Sequence, residues 1–476
     1  MKRGALMSIS MLIKAMLNLA ALVVFTRILT PQEYGTYSLV ITLVLLADAM
    51  LFTWLRFGYT RYFSTEYGPR YVKNVIILSI ISAFLCLAIV CALRFGEELL
   101  PRAWAIGSLW FVVGAVMVGE GIFNLQLVDA NNRRREADFL SLSLVKSFGS
   151  LFAGWTLVAF GLGVEGVLLG QLVGYGLSIL LLLRRLCHFS VGSLLTPDFA
   201  LMKALLVIGL PMAAMQVLEM IINLGTRTSL ITILGSEALS VYTIANDIVQ
   251  KLIVFLMLTL NTASLPMVVK ALESEGDEAA RRSLSRNAAI LFGLTIPASV
   301  GMVLLAPQLT QVLVGEAFRA PVLSILPWFV LIALPKGAVS FYLAHSFYLA
   351  KTSHRMIKPM LAITVVGLVI FHIGVTLFGM IGAIGTMISI WSVYGLVVGL
   401  RGRREFVLPL PFLEFARALA GTAVMVAAVW PFRAWPGFVG LFGGATVGVA
   451  VYALVAIALD LAGTRALVLR ALGHQK

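Results

Sequence analysis

Residues 7–63 read MSISMLIKAMLNLAALVVFTRILTPQEYGTYSLVITLVLLADAMLFTWLRFGYTRYF. Two apolar segments flank the polar turn from Thr30 to Gly35, and each exceeds the ~20 residues that a helix needs to cross a bilayer. The stretch therefore predicts a transmembrane helical hairpin. Lys14, Asp48 and Arg56 lie inside its apolar segments, where charged side chains are costly and commonly functional.

The whole chain has the composition of an integral membrane protein. It contains 476 residues, of which 60% are hydrophobic and 12% are charged. Soluble domains carry about 25% charged residues. The formal net charge is +14. In a membrane protein such an excess is typical of Lys and Arg residues in cytoplasmic loops, so no nucleic acid partner is predicted.

The cysteines and histidines predict neither a disulfide framework nor a metal site. Cys86, Cys91 and Cys187 are scattered, and the five histidines form no cluster. Lys2 and Arg3 precede the first apolar segment. That segment is too long for a signal peptide and has no small-residue cleavage site, so an uncleaved first helix is expected.

Apolar stretches of helical length recur to the end of the chain. The fourteen predicted spans cover residues 5–27, 36–62, 74–94, 104–127, 139–160, 164–184, 201–225, 238–268, 287–306, 322–349, 359–378, 380–400, 412–431 and 437–461. Most of the 36 Lys and Arg residues fall at the N-terminus, in every second loop and at the C-terminus. The positive-inside rule therefore predicts an even number of spans with both termini in the cytoplasm.

Glycine-rich hairpins indicate an internal repeat. The segment from Gly161 to Tyr175 resembles the segment from Gly379 to Tyr394. The first also matches the dinucleotide motif G-x-G-x-x-G, but it lies between two membrane helices, so that function is rejected. The repeat predicts two six-helix lobes, residues 1–190 and 191–405, related by an axis along the membrane normal. Residues 406–476 would add two helices.

Nine charged residues are predicted at membrane depth. The bases are Lys14, Arg56, Lys146, Lys251 and Lys336, and the acids are Asp48, Glu120, Glu219 and Asp247. Each would cost about 2.5–3.5 kcal/mol at a lipid-facing helix centre, so these residues are expected to face the bundle interior or a wet cavity.

Several of the charged residues also have a structural explanation. Arg56 and Lys146 could snorkel to the cytoplasmic interface. Asp247 and Lys251 have the i,i+4 spacing of a helical ion pair. Arg61 and Arg227, at helix ends, could anchor the interface. If the basic residues line a cavity, phosphate is the expected partner, because its charge-assisted bonds to Arg are strong. An exporter of cationic drugs would be expected to show a majority of acids.

Two motifs carry a resemblance to a known family. Residues 27–37, RILTPQEYGTY, are followed by residues 55–62, LRFGYTRY, and together they resemble the start of the Wzx-type polysaccharide flippases of bacteria. These proteins form the polysaccharide transporter branch of the MOP superfamily, which also contains MATE exporters and the lipid II flippase. The resemblance implies a MOP-type, all-α membrane fold and alternating access between two lobes.

The resemblance also implies a substrate and a site. The substrate would be an undecaprenyl-diphosphate-linked oligosaccharide, flipped from the cytoplasmic to the periplasmic leaflet of the inner membrane during O-antigen, capsule or exopolysaccharide synthesis. Polymerases and glycosyltransferases would be partners. The family's basic positions match Lys14, Arg56, Arg61, Arg227 and Lys251, which are expected to bind the diphosphate. The four acids, Asp48, Glu120, Glu219 and Asp247, are candidates for ion coupling.

Two other classes of function stay open at the level of sequence. A cation-coupled drug or metabolite exporter of the MATE type would share the expected fold. A membrane enzyme, such as a polysaccharide polymerase or ligase, would need a sizeable outer loop with catalytic residues, and the outer loops here are short. We therefore expect a transport protein without catalytic residues, metal or cofactor.

Overall fold

The computed structural model describes residues 2–63, 68–99, 104, 106–186 and 197–465, and for residues 2–12, 14–15, 68–71 and 182–186 it describes the backbone alone. Within these ranges the chain is almost entirely helical and contains no strand. The all-α class predicted from the hydropathy pattern is confirmed.

Seventeen α-helices follow one another among the described residues. They are α1 (Lys2–Ile28), α2 (Pro31–Leu51), α3 (Thr53–Tyr62), α4 (Gly68–Phe95), α5 (Leu109–Asn132), α6 (Glu136–Leu157), α7 (Gly163–Leu186), α8 (Phe199–Leu234) and α9 (Ser236–Val249). The chain continues with α10 (Phe255–Glu275), α11 (Asp277–Leu304), α12 (Ala306–Leu313), α13 (Glu316–Ala338), α14 (His345–Leu349), α15 (Ile357–Gly402), α16 (Phe412–Val429) and α17 (Gly437–Ala458).

The polar turn of the first hairpin is shorter than its sequence suggests. It was expected over Thr30 to Gly35, yet α2 already begins at Pro31. Thr30 and Glu33 form a capping box, in which the Thr30 hydroxyl accepts from the Glu33 amide at 3.3 Å and the Glu33 carboxylate accepts from the Thr30 amide at 2.9 Å. Because Pro at the first helical position is pre-organised for helix, the helix starts immediately after the cap.

The second predicted span, residues 36–62, is interrupted at Phe52. Helix α2 ends at Leu51 and α3 starts at Thr53, and Phe52 between them has φ −119° and ψ −28°. The Asp48 carbonyl accepts from the Phe52 amide at 3.0 Å and also from the Thr53 hydroxyl at 3.2 Å. This break sets the geometry of the charged residues on either side of it.

Eleven helical segments among the described residues are long and apolar enough to cross a membrane. Two of them, Glu136–Leu181 and Ser353–Gly402, each contain two predicted spans. Gly161 divides the first segment with φ 89°, and Gly379 divides the second with φ 58°. Glycine adopts such left-handed conformations without a steric penalty. With α1, each of the fourteen predicted spans contains a helix among its described residues, as the MOP-type prediction requires.

The contacts divide the chain into two compact units. The first unit comprises residues 1–240 and 364–383, and the second comprises residues 241–363 and 384–476. The predicted lobes, 1–190 and 191–405 with extra helices in 406–476, stay a prediction.

In the first unit, α3 and α8 pack at backbone distance through Gly58 and Gly209. A Cβ at Gly209 would overlap the Trp54 carbonyl, and one at Gly58 would meet Leu205. This close packing holds the charged segment of α3 against α8.

Candidate functional site

Asp48 and Arg56 form a buried ion pair across the break at Phe52. Arg56 Nη1 donates to Asp48 Oδ1 at 2.6 Å and Nη2 donates to Asp48 Oδ2 at 2.7 Å, so the pair is bidentate. Nη2 also donates to the Thr53 hydroxyl at 2.5 Å. The side chains are 13% and 6% exposed. The basic residue predicted to bind phosphate and the acid predicted for ion coupling are therefore partners in this state.

Arg227 projects from α8 onto α2. Its Nη1 donates to the Ser38 carbonyl at 2.8 Å and also to the Thr42 hydroxyl. The side chain is half-buried, and its described hydrogen-bond acceptors are uncharged. Arg227 is thus a second guanidinium held against α2. Its contact residue Thr42 precedes Asp48 by more than one helical turn on that helix.

Glu120 belongs to a polar cluster that joins α5, α6 and α7. The Tyr175 hydroxyl donates to Glu120 Oε2, and Asn124 Nδ2 donates to Glu120 Oε1 at 2.9 Å. Lys146 Nζ lies 4.8 Å from the centroid of the Tyr175 ring, within the range of a cation–π interaction. The first unit therefore contains neighbouring acidic and basic groups at membrane depth.

The other predicted site residues lie apart from these two clusters. Lys14 is on α1, but its side chain lies outside the described residues. Arg61 is exposed in the last turn of α3, and Glu219 is half-buried on α8. In the second unit, Lys251 Nζ lies 3.1 Å from Asp247 Oδ2, which is the i,i+4 pair that the spacing suggested.

A cluster at the end of α5 was missed by the sequence reasoning. The Tyr59 hydroxyl and Arg133 Nε both donate to Asp129 Oδ1, the latter at 2.7 Å. Arg133 also lies 5.8 Å from the centroid of the Phe63 ring. In the sequence, Arg133 is one of three consecutive arginines between two predicted spans, which the positive-inside rule alone would explain. The signal available was Asp129, an acid i−4 from an arginine on a predicted helix.

The described side chains contain no group of three or more His, Cys, Asp or Glu residues that could hold a metal ion. What the first unit presents instead is a set of paired arginines and carboxylates with tyrosine and threonine hydroxyls. Such groups can bind an anionic headgroup, exchange partners or take up a proton.

Comparison with known proteins shows the family. The model of a family described as polysaccharide biosynthesis protein matches residues 24–323. This range contains Arg56, Arg61, Arg227 and Lys251 of the predicted basic site. No curated protein sequence matches the chain.

Solved structures of transporters share the fold. A lipid II flippase MurJ in an inward closed conformation is 13% identical with a TM-score of 0.73, covering 96% of this chain and 99% of the other. An inward-facing MATE family multidrug resistance transporter of the MOP superfamily is 17% identical with a TM-score of 0.66, covering 84% and 97%. A MOP superfamily transporter from Pyrococcus furiosus is 16% identical with a TM-score of 0.53, covering 84% and 92%.

These neighbours are transporters and flippases rather than enzymes, as the short outer loops suggested. They share the helical membrane architecture described above. The chain is a multi-pass membrane protein that has the MOP-superfamily fold and belongs to the polysaccharide biosynthesis protein family.

Proposed function

We propose that this protein flips an undecaprenyl-diphosphate-linked oligosaccharide from the cytoplasmic to the periplasmic leaflet of a bacterial inner membrane. The oligosaccharide would serve O-antigen, capsule or exopolysaccharide synthesis, and the transport would use alternating access. Glycosyltransferases that build the unit and a polymerase that consumes it would be functional partners.

The observation that carries the proposal is the pair of guanidiniums held at membrane depth in the first unit. Arg56 and Arg227 both lie against groups of α2, and Arg61 is exposed on the same helix as Arg56. Arginine binds phosphate bidentately and stays charged in a low-dielectric site. In a member of a polysaccharide biosynthesis family, a lipid-linked diphosphate is the anion that best fits such a site.

In the absence of substrate, Asp48 would form the ion pair with Arg56. A buried guanidinium without a counter-charge is strongly unfavourable, so an empty phosphate site needs an internal acid. A diphosphate carries more negative charge than one carboxylate and offers more acceptor atoms. The substrate would therefore compete with Asp48 for Arg56, and release of the substrate would restore the Asp48–Arg56 pair.

A cavity of the second unit fits the lipid tail. It measures ≈ 740 Å³ and is bounded mainly by α11, α16 and α17. Its walls are apolar and include Leu252, Pro297, Met425 and Gly444. Tyr452 also lines it, but its hydroxyl is engaged with the Gly293 carbonyl. An isoprenoid chain needs an apolar surface, and the hydroxyls of Tyr452 and Thr464 on this wall are already engaged with backbone carbonyls.

A MATE-type exporter is the alternative, because that family shares the fold. A cation-coupled exporter needs an acid that can accept an ion or a cationic drug. Asp48 and Asp247 are each paired with a base in this structure. These pairings favour the flippase over the exporter. Glu120 and Glu219 stay candidates for ion coupling under either function.

The decisive experiment compares lipid-linked oligosaccharides in a deletion strain complemented with variants. We expect the deletion to accumulate an undecaprenyl-linked repeat unit on the cytoplasmic leaflet, identified by mass and by leaflet-specific labelling. Arg56→Gln and Arg227→Gln should each leave most of the unit on that leaflet. The control Arg282→Gln should complement fully, because Arg282 is 72% exposed at the start of α11.

Two outcomes would count against this function. The phosphate site would be rejected if both arginine variants moved the unit normally at wild-type abundance. The flippase itself would be rejected if the deletion accumulated no lipid-linked unit and overexpression instead gave resistance to cationic dyes, as the exporter alternative requires.

A further inference from the structure

A second cavity lies within the first unit, and neither Arg56 nor Arg227 lines it. It measures ≈ 490 Å³ and is bounded mainly by α4, α5 and α6, with Tyr59 of α3 and Leu181 of α7 completing the wall. This volume falls within the range of about 300–1,000 Å³ that is typical of small-molecule sites. Most of its lining is apolar, including Val75, Ile80 and Leu125. Ile80 is 46% exposed, so the cavity adjoins the outer surface of a membrane-spanning helix.

One buried polar side chain on its wall points to a ligand. Gln126 lines the cavity and is only 6% exposed. Within the part of the chain whose side chains are described, neither its amide nitrogen nor its amide oxygen has a hydrogen-bond partner. Leaving a buried amide unpaired is unfavourable, and native structures satisfy most such groups. An occupant with an oxygen at this depth would supply the missing partner.

The length of the cavity matches one leaflet of a bilayer. Along α4 its lining runs from Val72 to Ala83. At 1.5 Å per residue this distance is about 16 Å. Half of the hydrocarbon core is about 15 Å. The cavity is thus long enough for one acyl chain, with its polar end where α5 terminates.

The polar end of the cavity carries charges of both signs. Arg133 and Arg135 line it together with Asp129 and Asp138. Arg133 Nε lies 2.7 Å from Asp129, and Arg135 Nη1 lies 4.0 Å from Asp138. Two guanidiniums and two carboxylates make a site without net charge. Such a site matches a headgroup that combines a phosphate with a primary ammonium, since the ammonium can donate hydrogen bonds to a carboxylate.

We propose that this cavity binds one phospholipid with a zwitterionic phosphoethanolamine headgroup. The phosphate lies at Arg133 and Arg135, the ammonium lies at the carboxylates, and an ester oxygen bonds to Gln126. The acyl chain occupies the apolar length beside α4. The site is separate from the flippase site, so it stands whether or not the proposed function is correct.

The test measures lipid binding to the purified, delipidated full-length protein. Phosphatidylethanolamine, phosphatidylcholine and phosphatidylglycerol with identical acyl chains are titrated, and bound lipid is counted by native mass spectrometry. We expect phosphatidylethanolamine to bind about tenfold more tightly than phosphatidylcholine, whose headgroup has no N–H donor. Equal affinity for these two lipids, or tighter binding of phosphatidylglycerol, would overturn the proposal.

Variants locate the site. Ala83→Phe fills the inner end of the cavity and should reduce the binding of phosphatidylethanolamine. Gln126→Leu should lower the affinity for this lipid by about three- to tenfold. Ala88→Phe is the matched control, because Ala88 is exposed on the same helix and does not line the cavity. Binding by Ala83→Phe that equals the control would overturn the site.

A second measurement uses the wild-type protein, so it tests the site even where a variant fails to fold. Phosphatidylethanolamine with a photoreactive acyl chain is cross-linked to the wild-type protein, and the labelled peptides are identified. Labels should fall within residues 72–83 and 122–133. Labels confined to other segments would reject the site without any substitution.

Discussion

At the scale of single residues, the Asp48–Arg56 pair changes how the intramembrane charges are interpreted. Each residue taken alone is a costly charge in an apolar segment and a candidate for function. Together they neutralise each other, with both side chains largely buried. The pair makes folding of the hairpin compatible with a guanidinium that the substrate could later engage. Its stability and its transport role can be separated by substitution.

We expect Asp48→Asn to destabilise the purified protein by about 3–5 kcal/mol, because it leaves a buried guanidinium without its counter-charge. The double variant Asp48→Leu/Arg56→Met should recover most of that stability and still fail to flip the lipid-linked unit. Denaturant unfolding in detergent and the leaflet assay measure the two effects. Asp247→Asn is the control, since that pair is more exposed and should cost less than about 1 kcal/mol. Normal flipping by the double variant would make the pair purely structural.

Glu405 lies outside the membrane-spanning helices, and we expect its hydrogen bonds to make the stability of the fold depend on pH. It accepts from Arg355 Nη1 at 2.5 Å and from the Thr352 hydroxyl at 2.9 Å. The hydrogen bond from Arg355, followed by that from Thr352, lowers the pKa of the Glu405 carboxyl. Its stabilisation is therefore fully present above the ordinary glutamate pKa of about 4.3 and is lost as the pH falls below it.

The expected effect is a smaller loss of thermal stability on acidification in Glu405→Gln than in the wild type. Melting temperatures at pH 6.5 and near pH 3.5 provide the measurement. The difference should be modest, because Arg355 is 58% exposed and solvent screens the pair. Identical pH dependence in both proteins would show that the contact contributes nothing to stability.

At the scale of elements, the break between α2 and α3 decides which charges can meet. Residues eight apart in a continuous helix lie about 12 Å apart along the axis. The interruption at Phe52 brings the side chains of Asp48 and Arg56 within hydrogen-bond distance of each other. Helix α8 then covers α3 at backbone distance. The charged segment is thereby held by packing rather than by its own helical propensity.

Gly209→Ala tests this packing. In an open helix the change would stabilise by about 1 kcal/mol, but the new Cβ would overlap the Trp54 carbonyl, so we expect destabilisation of about 1–3 kcal/mol. Gly176→Ala is the matched control, because no described atom lies within 4 Å of its added Cβ. Melting temperatures of the two variants should move in opposite directions. An unchanged melting temperature in Gly209→Ala would mean that α3 and α8 can move apart without a loss of stability.

At the scale of the whole molecule, the charge distribution predicts an orientation in the membrane. Lys and Arg residues concentrate in every second loop, so we expect the start of α2 to lie outside and the start of α6 to lie in the cytoplasm. This orientation puts the Tyr59–Asp129–Arg133 cluster at the cytoplasmic side. It would also assign the phospholipid cavity to the cytoplasmic leaflet.

Cysteine labelling checks the orientation. In a variant lacking Cys86, Cys91 and Cys187, Gln32→Cys should react with an impermeant maleimide in intact spheroplasts. Ala137→Cys should react only after the cells are opened. Both positions are exposed in the structure, so accessibility within the fold is matched. The reverse labelling pattern would invert the membrane topology and with it the proposed direction of transport.

The family and fold were accessible from the sequence because they depend on features that are local along the chain. Apolar length determines where a helix can cross the membrane, and the RILTPQEYGTY motif of residues 27–37 carries the family resemblance. The positive φ angles of Gly161 and Gly379 divide two long helical segments where the glycine repeat predicted hairpins. The i,i+4 spacing of Asp247 and Lys251 likewise predicted their contact.

The sequence by itself thus determined the membrane class, the helices and the kinds of charge that lie among them, since hydropathy and short-range spacing encode these properties. Only the tertiary structure decided the partners of those charges. The Asp48–Arg56 pair depends on a helix break, and the Arg227 contact depends on packing of α8 against α2. The environment of Gln126 depends on the neighbouring helices that line the same cavity. Such contacts join residues that are distant in sequence or separated by a bend, so hydrophobic periodicity does not predict them.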